Sequence, residues 1–129
     1  DLACAIRASE ALRTVGYTPL GDLGIPERFA FSAPTELPRH NLYVVLAGCL
    51  SLRNHLRLRD HLRSHPEDVE KYGAVKRELA ERHPDDVSAY CTAKTAVLLG
   101  ILARAGLPRD ELRSIAVSNG ADPDALGVA

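Results

Sequence analysis

The chain has 129 residues, of which 46% are hydrophobic and 26% charged, with a formal net charge of −1. These values are typical of one soluble globular domain, and the charge argues against a nucleic-acid binder, which usually carries a strongly basic surface. No apolar run reaches the roughly 20 residues of a membrane helix. Cys4, Cys49 and Cys91 are widely spaced and odd in number, which favours neither a disulfide framework nor zinc and predicts a cytoplasmic protein.

The first part of the chain predicts one helix followed by strands. Residues 2–13 follow helical spacing, and Gly16 is a typical helix stop. Residues 28–32 alternate as a half-buried strand does. Residues 41–46 form a nearly continuous run of β-branched, aromatic and leucine side chains. This second strand is therefore predicted to occupy the middle of the sheet.

From residue 51 the periodicity of apolar residues becomes helical. We predict helices over residues 51–64, 66–81, 85–105 and 109–117, with Asp85 as N-cap of the third and Gly106 at its end. We expect one domain over residues 1–118, with a helix-and-sheet part at 1–49 and a helical part at 50–118. Residues 119–129 are predicted to be a flexible tail.

Two lysines fall on the apolar faces of these helices. Lys76 shares a face with Val69, Tyr72 and Leu79, and Lys94 interrupts a longer stripe comprising Val87, Tyr90, Cys91, Val97, Leu98, Ile101 and Ala105. A lysine so placed must reach outward to solvent, pair with a carboxylate, or face a cleft that holds an anion. Both lysines could simply reach solvent. If they converge, a phosphate is the natural ligand, and the tyrosine hydroxyls would add directional hydrogen bonds.

Two further residues are candidates for the same site. Arg59 belongs to an arginine-rich helix, and such a run is either a solvated face or part of an anion site. His40 stands at the start of the second strand, where ligand crevices often form, although a lone histidine there often has a structural role. The histidine spacings match no metal-binding motif, so no metal site is predicted.

Several motifs of this sequence resemble motifs of the GrpB family. That family typically shows F-R-D-Y-L-R-x-H-P, then Y-x-x-L-K-x-x-L-A, then Y-x-x-x-K. The present sequence has LRDHLRSHP at residues 58–66, followed by Tyr72 to Ala80 and by Tyr90 with Lys94. The resemblance extends back through Gly16-Tyr17 and residues 24–28 to the strand at 42–45. One departure concerns a histidine-rich strand of the family, of which only His40 is present here.

The resemblance implies an α+β fold of the nucleotidyltransferase type, with a small mixed β-sheet followed by a C-terminal helical unit. Nucleotidyltransferases of this shape use a Gly-Ser turn and an Asp-x-Asp-like strand to hold phosphates and Mg²⁺. That segment is not present in these residues, so Mg²⁺ is expected only if an upstream carboxylate segment exists, and the catalytic residues are unknown. Nucleotidyl transfer by these residues alone is therefore expected to fail unless upstream residues supply the catalytic half.

Two functional hypotheses follow. The first is a GrpB-like protein that binds a nucleotide or other phosphorylated small molecule in a cleft between sheet and helices. Its candidate ligand-binding residues are Lys76, Tyr90, Lys94, Arg59, Tyr72 and His40. The second is a non-catalytic accessory or interaction domain that stabilises a partner or a fused enzyme, such as the dephospho-coenzyme A kinase to which some family members are fused. Neither hypothesis involves nucleic acid or a membrane.

Overall fold

The computed structural model describes residues 1–128 and divides the chain into two units, Asp1–Arg53 and Asn54–Ala129. The first unit contains helix α1 (Leu2–Thr14) and strands β1 (Thr18–Gly21), β2 (Arg28–Ser32) and β3 (Asn41–Val45). Helix α2 (Leu50–Ser64) crosses the division. Helices α3 (Pro66–Arg82), α4 (Val87–Arg104) and α5 (Arg109–Ser118) complete the second unit. The predicted α+β class is confirmed.

Helix α1 begins and ends where its sequence indicates. The Asp1 carboxylate accepts a hydrogen bond from the Cys4 amide at 2.8 Å, which satisfies one of the free N–H groups at the helix start. Gly16 follows the helix with φ of +91°, a conformation that glycine adopts without strain. The helix packs on β1 and β3, and Ala5 is its buried contact residue.

The sheet is an antiparallel meander in the order β1-β2-β3. The prediction that the strand at 41–46 is central was therefore wrong, because β2 lies in the middle and buries Ala30 and Phe31 while β3 forms an edge. Strand β1 was not predicted, since its four residues are exposed and include Pro19 and Gly21, which weaken a strand signal. Both strand pairings are antiparallel, where the resemblance implied a mixed sheet.

The four helices of the second half match their predicted positions to within a few residues. Helix α3 begins at Pro66, which fits the first helical position because it has no N–H to leave unbonded. The N-cap of α4 is Asp86, which accepts from the Ala89 amide at 2.8 Å, and not Asp85 as predicted. Four residues join α3 to α4, and the two helices pack against each other as a hairpin.

The buried face of α4 differs from the apolar stripe that the sequence suggested. The buried residues are Thr95, Leu98, Leu99, Ile101 and Leu102, whereas Val87 is 68% exposed. Helix α4 also has the length and composition of a membrane-crossing helix. One such helix is weak evidence for a membrane span, because a core helix of a soluble protein can have the same length and composition, and 28% of this helix is buried in the structure.

The segment after α5 is bonded to that helix. Asp124 lies 3.4 Å from Arg113, and the Ala121 amide donates to the Ala116 carbonyl at 2.9 Å. The Thr92 hydroxyl of α4 donates to the Asn119 carbonyl at 3.1 Å. Helix α5 and the start of the predicted tail are therefore attached to α4.

Candidate functional site

Helices α3 and α4 each carry a tyrosine followed one turn later by a lysine whose ammonium lies over the tyrosine ring. The Nζ atom of Lys76 is 5.4 Å from the ring centroid of Tyr72, and that of Lys94 is 5.0 Å from the ring centroid of Tyr90. Both distances fall within the range of cation–π contacts. The spacing of four residues produces these contacts because such positions are neighbours on a helix surface. We call these four residues the Tyr–Lys face.

The backbone positions of the two lysines lie at similar heights on the hairpin. Asp68 of α3 bonds to Arg104 of α4, which fixes the relative position of the helices. Lys76 follows Asp68 by eight residues and Lys94 precedes Arg104 by ten, so the lysines stand at similar heights on antiparallel helices. Burial, and then the proximity of Tyr90 and Cys91, raises the pKa of Tyr72. The Tyr72 hydroxyl is therefore a protonated hydrogen-bond donor at neutral pH.

The lysines are less buried than the sequence indicated. Lys76 is exposed and Lys94 is half-buried, because the core-facing sides of α3 and α4 are centred on other residues. Within residues 1–128 no carboxylate lies within the 4.0 Å of an ion pair with either ammonium. The Tyr–Lys face thus presents two positive charges that lie over aromatic rings and, among the described residues, have no carboxylate in ion-pair range.

Arg59 and His40 have other partners in the structure. Arg59 is exposed and donates to Asp60 beside it at 2.8 Å, which raises the pKa of the arginine and lowers that of the aspartate. His40 is in the first unit, where its Nδ1 donates to the Pro38 carbonyl at 2.7 Å and its Nε2 is 2.9 Å from the Tyr17 hydroxyl. Their predicted part in ligand binding stays a prediction.

A second cluster of polar residues was not predicted as a site. Asp68, with a side chain only 7% exposed, lies 2.7 Å from Nε2 of His61 through one oxygen and 2.8 Å from Nη2 of Arg104 through the other. The hydrogen bond from His61, followed by that from Arg104, lowers the pKa of Asp68. The sequence gives little sign of this cluster because Asp68 and Arg104 are 36 residues apart.

His65 adds a stacked ring to this cluster. Its ring is parallel to that of His61, with centroids 3.9 Å apart, and its Nδ1 lies 2.8 Å from the His61 carbonyl. A carbonyl can only accept, so Nδ1 carries the proton and Nε2 of the neutral ring is a hydrogen-bond acceptor. The cluster lines an open groove of about 580 Å³, together with Glu67 and Lys71. We call it the His–Asp–Arg groove.

Neither arrangement provides a magnesium site. Two-metal phosphoryl transfer requires carboxylates on a rigid element to hold the ions. Among residues 1–128 there is no group of three or more histidine, cysteine, aspartate or glutamate side chains placed to hold a metal. In the groove, the Asp68 oxygens are already bonded to Arg104 and His61. The described residues therefore do not by themselves fit Mg²⁺.

The fold and the paired helices define a small α+β protein whose helical hairpin carries two Tyr–Lys pairs. Comparisons with known proteins identify its family. The family model described as "GrpB protein" matches residues 1–104. UPF0157 protein YqkA of Bacillus subtilis is 34% identical over 101 residues, covering 73% of this chain and 29% of that protein. Glutamate-rich protein GrpB of Alkalihalophilus pseudofirmus is 30% identical over 90 residues, covering 67% of this chain and 52% of that protein.

The chain therefore belongs to the GrpB family. It is also similar in fold to the crystal structure of conserved protein GrpB from Enterococcus faecalis, with a TM-score of 0.67, 24% identity, and coverage of 81% of this chain and 63% of that one. The chain spans 29% of the length of the Bacillus subtilis relative and 52% of the Alkalihalophilus pseudofirmus relative.

Proposed function

We propose that this GrpB family protein binds a phosphate-bearing small molecule, such as a nucleotide, on the Tyr–Lys face. The observation that carries the proposal is the pair of lysines, Lys76 and Lys94, at similar heights on facing helices without a carboxylate partner. Lysine ammonium groups are compact charges suited to phosphate. The Tyr90 and Tyr72 hydroxyls supply neutral donors beside them.

The cation–π contacts support this arrangement. A ring below each ammonium limits the positions that the flexible lysine side chain samples, so less conformational entropy is lost when a ligand binds. The rings leave the ammonium N–H donors available, since the attraction of a cation to a ring face does not use a hydrogen bond. Arg59 and His40 are not needed for the proposal, because each already has a partner within its own unit.

Titration calorimetry with nucleotides, in the presence and absence of Mg²⁺, tests the proposal. The Lys76→Ala/Lys94→Ala variant is expected to weaken binding at least about 100-fold, since it removes two charge-assisted contacts of roughly 1.5–3 kcal/mol each. An Arg77→Ala/Arg82→Ala variant removes two exposed charges from α3 and is expected to bind as wild type. Equal binding by wild type and the lysine variant, or no binding by either, would refute the proposal.

Tyr90→Phe separates the two contributions of that tyrosine. The variant keeps the ring under Lys94 and removes only the hydroxyl. If the hydroxyl donates to the phosphate, affinity falls several-fold while thermal stability is retained. An unchanged affinity would remove Tyr90 from the ligand contacts and leave only the lysines.

The alternative proposal is an accessory or interaction domain that stabilises a partner or fused enzyme. The observation that favours it is that each lysine already has an aromatic contact within its own helix, so the face could serve only to organise the hairpin. In that case nucleotides cause no heat of binding, and the lysine double variant loses thermal stability or partner binding. In either proposal the protein functions in the cytoplasm, where its three free thiols remain reduced.

A further inference from the structure

The His–Asp–Arg groove contains an arginine that is held in place by a buried carboxylate but is half exposed itself. Nε and Nη2 of Arg104 bond to the two Asp68 oxygens at 3.3 and 2.8 Å. The Arg104 side chain is 54% exposed. A guanidinium has five N–H donors in one plane. The two bonds to Asp68 therefore fix the orientation of the Arg104 guanidinium and leave N–H donors available on the edges that do not face Asp68.

One more donor lines the same groove. Lys71 is exposed on α3, and its ammonium offers three N–H groups. The bond from Nδ1 of His65 to the His61 carbonyl, together with the stacked His61 ring, fixes the orientation of His65 and uses its N–H, so His65 forms a wall of the groove and is not counted as a donor to the anion. The groove volume of about 580 Å³ lies in the range of small-molecule sites.

The carboxylates of the groove act unequally on an incoming anion. Asp68 is compensated, since both its oxygens are bonded to Arg104 or His61. Glu67 is exposed on the wall and opposes an anion. Glu67 and Lys71 are four residues apart on one helix and therefore stand on the same face. Neutralising Glu67 should therefore strengthen anion binding, and neutralising Lys71 should weaken it.

We propose that the His–Asp–Arg groove is a second binding site, which takes the oxyanion group of a small molecule between Arg104 and Lys71. The matching chemistry is a phosphate or a carboxylate, both of which accept the parallel N–H donors of a guanidinium. The site is separate from the Tyr–Lys face, and its existence does not depend on the function proposed for that face.

The test is a titration of the 129-residue protein with inorganic phosphate and, separately, with acetate, followed by ¹H–¹⁵N NMR. The reporters are the Arg104 Nε–H and the backbone amides of Glu67 and Lys71. Saturable shifts of these signals are expected at anion concentrations up to about 50 mM. Shifts with phosphate alone would indicate a phosphate-bearing ligand, and shifts with acetate alone would indicate a carboxylate. Shifts with both anions would indicate a site that accepts either group. No saturable shift with either anion would overturn the proposal.

Charge variants provide the specific readout. Lys71→Met is expected to raise the Kd about three-fold and Glu67→Gln to lower it about two- to three-fold, as for one partly screened charge near the anion. Both positions are exposed, so neither change should unfold the protein. Lys76→Ala/Lys94→Ala should leave the Kd at the groove within two-fold. Equal Kd values for the Lys71 and Glu67 variants, or loss of the shifts in the Lys76/Lys94 variant, would contradict a separate groove site.

Discussion

Leu102→Ala and Val87→Ala, both on α4, test which face of that helix is buried. Leu102 is fully buried at 0% exposure, while Val87 is 68% exposed. Removing three buried carbons from Leu102 costs about 0.8 kcal/mol each in lost burial, and the cavity left behind adds to this, so we expect a loss of about 3 kcal/mol. Val87→Ala removes two exposed carbons and should change stability by less than about 0.5 kcal/mol.

Urea unfolding followed by circular dichroism measures both variants against wild type. A loss of about 3 kcal/mol is a large part of the roughly 5–15 kcal/mol that stabilises a typical domain, so the Leu102→Ala midpoint should fall clearly while the protein remains folded at low denaturant. Alanine favours helix at both positions, so helix propensity does not explain a difference. Equal losses for the two variants, or a larger loss for Val87→Ala, would show that the buried face assigned to α4 is wrong.

Three other predictions concern titrating groups and glycines. Because the folded-state pKa of Asp68 lies below its ordinary value of 3.8, its contribution to stability is complete above that pH and is lost as pH falls through the folded-state pKa; Asp68→Asn should show a shallower acid loss of the urea midpoint. Tyr72 should form phenolate above the ordinary tyrosine pKa of 10.0 in an alkaline absorbance titration, and Tyr72→Phe should remove that late step. Gly106 has φ of +79°, so Gly106→Ala should destabilise by about 1 kcal/mol in thermal unfolding, whereas Gly100→Ala, within α4, should stabilise by up to about 1 kcal/mol.

Features determined by local sequence were predictable. The helices end at Gly16 and Gly106 because glycine relieves the left-handed turn there. The Tyr–Lys contacts also follow from the sequence, since residues four apart on a helix meet regardless of what packs against it. The resemblance to the GrpB family also rested on short sequence motifs, and membership of that family was confirmed.

Features determined by tertiary packing were not predictable in the same way. The apolar run of β3 indicated a central strand, but pairing only with β2 made it an edge. The apolar periodicity of α4 predicted a buried face that includes Val87, but α4 packs on α3 and α5 through a different face, and Val87 is exposed. The bond between Asp68 and Arg104 joins residues far apart in sequence, and no local pattern marks such a pair.

The two proposed sites share one scaffold, which determines how they can be separated experimentally. Helix α4 carries both Lys94 and Arg104 and is fixed by Leu102, so a core change such as Leu102→Ala would disturb both sites together. Lys71 and Lys76 on α3 are exposed, and each belongs to only one site. Single substitutions on α3 therefore report each site independently. If Lys71→Met and Lys76→Ala weakened the same ligand to the same extent, one extended site along the hairpin would replace two.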